Sequence, residues 1–128
     1  MHGDAPVWNV FLPNDDGAGG ERLFDWAAWQ PGLPATDLAC MMALHWFPER
    51  RRRFERPLLD HYHATLLACG VKGYDRAMLD HDYRLAALIQ MTMPLYWANI
   101  GIPPSVWWNS FERILLAVDD LGCHELLA

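Results

Sequence analysis

Cysteine is scarce here and comes in no pairs. Cys40, Cys69 and Cys123 lie far apart among apolar residues, and such an odd, scattered set offers no disulfide framework. Reduced thiols in a cytoplasmic protein are the expectation. A basic surplus is lacking too: the formal net charge is −6, whereas a general nucleic-acid binder draws its affinity from cationic neutralisation of phosphates. Lysine occurs once, at Lys72, in a glycine-flanked turn. No basic segment followed by an apolar core opens the chain, so no secretory signal is expected. There is no internal repeat.

What the chain has in plenty is apolar and aromatic residues. Hydrophobic residues make up 52% of the 128, seven of them tryptophan, which excludes disorder and fits one domain with a single core. From Leu85 to Trp108 no residue is charged. Gln90, Pro94, Asn99, Gly101, Pro103 and Pro104 interrupt that stretch, and in lipid they would leave backbone groups unpaired. It reads as a buried helix, a loop and a second helix, with no membrane partner.

Val7 to Pro13 is a short β-prone run, Asn14 to Gly20 is turn chemistry, and Glu21 to Trp26 is a second apolar run. Together they predict a hairpin that brings Asn9 and Asp25 to the same end. Pro31, Gly32 and Pro34 mark a connector. Thr36 or Asp37 is expected to cap a helix reaching Trp46, with Pro48 ending it. Residues 49–70 repeat apolar positions at helical spacing, with a break at Pro57. A long helix follows from Tyr74-Asp75 to about Met93. The last helix carries the stripe Trp107, Trp108, Phe111, Ile114, Leu115, Val118 and Leu121 and ends at Gly122.

The segments His2-Gly3-Asp4 with Asn9, Phe24-Asp25-Trp26, and Thr36-Asp37-Leu38-Ala39 resemble, in order and spacing, the catalytic loop, metal-binding segment and following helix start of the aminoglycoside phosphotransferase-like family. These are small-molecule kinases with a protein-kinase-like fold. The resemblance implies a mainly α (α+β) chain, the C-terminal helical lobe of that fold with one short β hairpin near its N-terminus. It implies ATP as co-substrate, Mg²⁺ as cofactor and a small-molecule alcohol as phosphate acceptor. Asp4 matches the catalytic base, Asn9 and Asp25 the two metal ligands, His2 a loop-orienting residue, and Asp37 the carboxylate that holds the catalytic loop. Pro6 departs from the pattern, since many relatives have histidine there.

The family's nucleotide-binding lobe precedes the catalytic loop, and no residues of this chain correspond to it. The expected organisation is therefore one partial domain over 1–128, with the catalytic loop and hairpin in 1–26 and a helical subdomain in 36–128. An isolated lobe of this kind is expected to be poorly stable and to self-associate through exposed apolar surface. Asp82, Glu112, Asp119 and Asp120 are candidate acceptor contacts, with Trp97, Trp107 and Trp108 as candidate walls. Two other readings compete: an inactive, truncated kinase lobe that serves as an interaction or non-functional fragment, and a metal-dependent hydrolase using His2, Asp4 and Asp25.

Two further clusters read as structural. Glu49-Arg53 and Arg51-Glu55 fit i,i+4 pairs on a solvated helix face, in place of a phosphate site. His61 and His63 point away from each other on a helix and chelate poorly.

Overall fold

The computed structural model describes residues 1–14 and 19–128; Asp15 to Ala18, within the expected hairpin tip, lie outside the described residues. The chain is mainly helical with one small hairpin at its N-terminal end. Strand β1 (Val10–Phe11) pairs antiparallel with β2 (Arg22–Leu23), Val10 opposite Leu23. The first strand is shorter than its apolar run suggested. Pro6 is buried in an extended conformation, and its carbonyl accepts the Asn9 N–H at 3.0 Å, which winds Val7–Asn9 into a 3-10 turn.

Helix α1 (Ala35–Ala39) starts directly after Pro34 with no side-chain cap. The expected cap at Thr36 or Asp37 is absent because both residues already lie inside the first turn. Beyond Ala39 the helix widens into a π-helical turn, Cys40–Leu44. α2 (Pro48–Ala68) runs through Pro57 without the expected break. Pro57 lies on an exposed face, so the Arg53 carbonyl it leaves unpaired can turn to water.

Asp75 caps α3 (Arg76–Gln90), its carboxylate accepting the Met78 N–H at 2.8 Å. α3 ends at Gln90, short of Met93, and a turn at Met91 leads into α4 (Thr92–Asn99). α5 (Pro104–Asp120) ends at Gly122, whose positive φ of 61° suits a helix stop. Among the described residues no helix is long and apolar enough to cross a membrane.

The core lies between α1, the π turn, α3 and α5. Ala39, Ala43, Ala86, Ala87 and Ala117 are fully buried, and these small side chains let the helix backbones approach closely. Met42, Leu44, Leu79, Tyr83 and Ile114 fill the remaining space. α2 buries only Arg51 and Leu59, so it lies along the outside.

Arg51 corrects the solvated-face expectation. The residue is 2% exposed, and its guanidinium bonds Glu55 at 2.9 Å and Asp120 of α5. Tyr83 donates to the same Glu55 at 2.7 Å, so a buried charge is matched by two carboxylates and tied to the core. The expected Glu49-Arg53 pair is not formed among the described residues.

Candidate active site

The site is assembled by hydrogen bonds from a short loop to the start of α1. The Asp37 carboxylate accepts the backbone N–H groups of His2 at 2.6 Å and Gly3 at 2.8 Å, one oxygen to each. Charge-assisted bonds of this kind contribute roughly 1.5–3 kcal/mol apiece. Gly3 has φ +88°, and a Cβ there would fall 2.2 Å from the Ala28 carbonyl oxygen. Only glycine lets the loop lie against residues 26–28.

His2 is buried. Its Nδ1 faces the Asp4 N–H at 3.4 Å, which leaves Nε2–H to donate to the Phe24 carbonyl at 2.9 Å. Its ring also packs on Trp26 with centroids 4.5 Å apart. One nitrogen braces the loop from within and the other joins it to the hairpin. A metal-ligating role for His2, as the hydrolase reading requires, has no lone pair to use.

Asn9 is 5% exposed, and its amide nitrogen donates to the Asp4 backbone oxygen at 3.0 Å and to the Asp4 carboxylate at 3.2 Å. Since a carboxylate can only accept, this fixes the amide orientation and leaves the Asn9 oxygen as a donor atom for a cation. The Phe24 N–H bonds the Asn9 carbonyl at 3.1 Å, so Asp25 follows directly at the same end of the hairpin.

Asp25 sits in the left-handed region with φ 62°. That conformation is uncommon outside glycine, and aspartate is among the residues that tolerate it. No described residue donates to its carboxylate. No group of three or more His, Cys, Asp or Glu side chains able to hold a metal ion occurs among the described residues. Two hard oxygens, from Asn9 and Asp25, nevertheless fit Mg²⁺, which keeps several waters and binds through few protein ligands plus substrate phosphates. Beneath the loop, Cys40 is a poor thiolate: burial pushes its pKa up to about 12, and the charges of Asp4 and Asp37 add to this.

The candidate acceptor contacts do not converge. Asp82 accepts the Tyr74 hydroxyl at 2.8 Å, and Asp120 is held below the ordinary carboxylate range by hydrogen bonding to Arg52 and by Arg51. Glu112 and Asp119 are exposed on α5. Trp107 and Trp108 pack against each other and Phe111, and the Trp107 indole donates to the Ile102 carbonyl at 3.0 Å.

Trp97 is placed differently. It lines a cavity of about 200 Å³ together with Trp8, His45, Ile102, Val106 and Ser110. Trp8 meets His45 edge-on at 4.5 Å. Burial and the Arg113 charge lower the His45 pKa to about 4, so this imidazole is neutral at pH 7. Trp8, His45 and Ser110 were not among the sequence candidates. The signal open to reading was Val106 and Ser110 four apart on one face of α5, a hydroxyl within an apolar stripe.

A family model described as the phosphotransferase enzyme family matches residues 1–79, well over half the chain, from the loop through α2 to the first turn of α3. No curated protein and no solved structure matches the chain.

Proposed function

Because the chain belongs to the phosphotransferase enzyme family, we propose that it carries the catalytic base and metal-facing oxygens of an ATP- and Mg²⁺-dependent small-molecule O-kinase of the cytoplasm. The observation that carries this is the Asn9 amide: its nitrogen holds the Asp4 carboxylate, which leaves its oxygen free, and the Asn9 main chain is bonded to the residue before Asp25. Asp4 accepts the proton of the acceptor hydroxyl as that oxygen bonds to the γ-phosphorus. The bond from phosphorus to the β,γ-bridging oxygen breaks, and ADP leaves. Asn9 and Asp25 would hold Mg²⁺, which supplies charge neutralisation to the phosphates when bound. His2 and Asp37 orient the loop that carries Asp4. The residues described here account for the base and the metal face; the adenosine falls to the nucleotide-binding lobe of the family.

The test uses the loop and helical lobe of this chain within the intact enzyme, with Mg-ATP and a panel of alcohols, following titration calorimetry and phosphate transfer. Asp25→Ala is expected to weaken Mg-ATP binding at least tenfold, and Asp4→Ala to cut transfer by about 100-fold or more while leaving that binding intact. Full transfer by Asp4→Ala sinks the assignment.

A second reading, an inactive lobe used for interaction, is favoured by one observation. Val7, Trp8, Phe11, Leu12, Trp26 and Trp29 are each more than half exposed, an apolar surface suited to another chain or a second copy. Concentration-dependent association with no binding of Mg-ATP would support it.

A further inference from the structure

Asp82 and Asp120 are committed to Tyr74 and to arginines of α2, and Glu112 and Asp119 stand exposed on α5, while an aromatic cavity stands open beside the catalytic loop. Its walls are Trp8, Trp97, Ile102 and Val106, and no acidic side chain lines it. A cationic side chain acts on its His45 wall. Arg113 donates to the His45 carbonyl at 2.8 Å and lies 4.1 Å over the Phe47 ring, so a cation bound against His45 would meet a guanidinium.

Two polar groups are present. Ser110 is 6% exposed, and its hydroxyl makes no hydrogen bond with the described residues. A hydroxyl on the cavity wall can donate to or accept from a bound ligand. His45 contributes a neutral imidazole that can donate or accept.

Size and position narrow the occupant further. An apolar protein cavity of about 150 Å³ accommodates benzene, so about 200 Å³ here suits one ring with short substituents. Trp8 is the residue before Asn9, whose amide holds Asp4. One wall of the cavity and the proposed base therefore share a single short segment.

We propose that this cavity is the acceptor pocket of the kinase and takes a neutral alcohol bearing an apolar or aromatic ring, with Ser110 receiving a polar substituent. This rests on the phosphotransferase reading and names the class of its acceptor. Trp8 and Trp97 would flank the ring, and the hydroxyl to be phosphorylated would face the loop of Asp4.

The test measures binding of 2-phenylethanol and of choline to the full chain without nucleotide, by ligand-observed NMR titration, so a failure of phosphoryl transfer does not register in it. The expected Kd for 2-phenylethanol is on the order of 1 mM, as suits so small a ligand, and choline should bind at least fivefold more weakly. Val106 is 61% exposed, so Val106→Trp should fold normally, checked by circular dichroism, and block the cavity, weakening 2-phenylethanol at least tenfold. Ser110→Ala should weaken 2-(4-hydroxyphenyl)ethanol, whose ring hydroxyl is the second polar group, a few-fold. Choline binding as tightly as 2-phenylethanol, no binding of 2-phenylethanol, or binding indifferent to Val106→Trp overturns the proposal. If binding behaves as expected but no alcohol is phosphorylated, the kinase reading fails and the ring-binding cavity stands without its acceptor role.

Discussion

Met42, Leu44, Leu79 and Ile114 in the helical body are at most 1% exposed, whereas Trp8, Phe11, Leu12 and Trp29 along the N-terminal segment are at least 60% exposed. Both regions are rich in large apolar side chains, so composition does not separate them. Their attachments do. The body excludes water from a closed core, and the N-terminal segment, closed on itself by a two-pair strand ladder, is held to the body by directed polar contacts from Asp37 to the backbone of residues 2 and 3. Stability belongs to the first region and the proposed chemistry to the second. A substitution can strike one without the other.

The largest expected effect breaks the body. Leu79→Ala empties a fully buried position of α3 and should cost about 3–4 kcal/mol, lowering the melting temperature by roughly 10 °C. Next, Gly3→Ala strikes the segment alone. The clash with Ala28 displaces the loop that carries Asp4, so phosphate transfer should fall about 100-fold, while the melting temperature of the body stays close to that of the wild type. Equal losses of stability in both variants would show that the two regions unfold together.

A smaller effect tests the contact between the regions. His45 lies between Trp8 of the segment and Trp97 of the body, with its pKa lowered from 6.5 to about 4. The unfolded chain therefore binds more protons than the folded one between those values. Stability should be full above pH 6.5 and fall as pH drops towards 4, by on the order of 2 kcal/mol. His45→Gln should flatten that slope in melts at pH 7 and 4.5. The smallest effect is Arg52→Ala: Arg52 pairs with Asp120 from a solvent-exposed position, and its melting curve should overlay the wild type. By contrast, the neighbouring Arg51 is buried.

The sequence revealed local patterns better than distant partners. The end of α5 followed from Gly122, and the meeting of Asn9 with the residue before Asp25 followed from a hairpin that spacing alone predicts. The mainly α fold with one hairpin was legible in the same way. Arg51 was misread because its partner Asp120 lies 69 residues away, beyond the reach of any i,i+4 rule. The cavity escaped for the same reason, since Trp8, His45, Trp97 and Ser110 come from four separated segments. Pro57 was read by its intrinsic cost, which is small when the freed carbonyl faces solvent.

The π turn at Cys40–Leu44 has one more consequence. Each residue of an ordinary helix advances the chain by about 100°, and a π turn accommodates one residue more than the regular ladder. Winding these five residues into the regular ladder, with none removed, would swing His45, the next residue, roughly a quarter-turn away from Trp8 and Trp97. The back wall of the cavity is thus set by the width of one helical turn as much as by the identities of its residues, and closing that turn would re-aim it with every lining side chain still present.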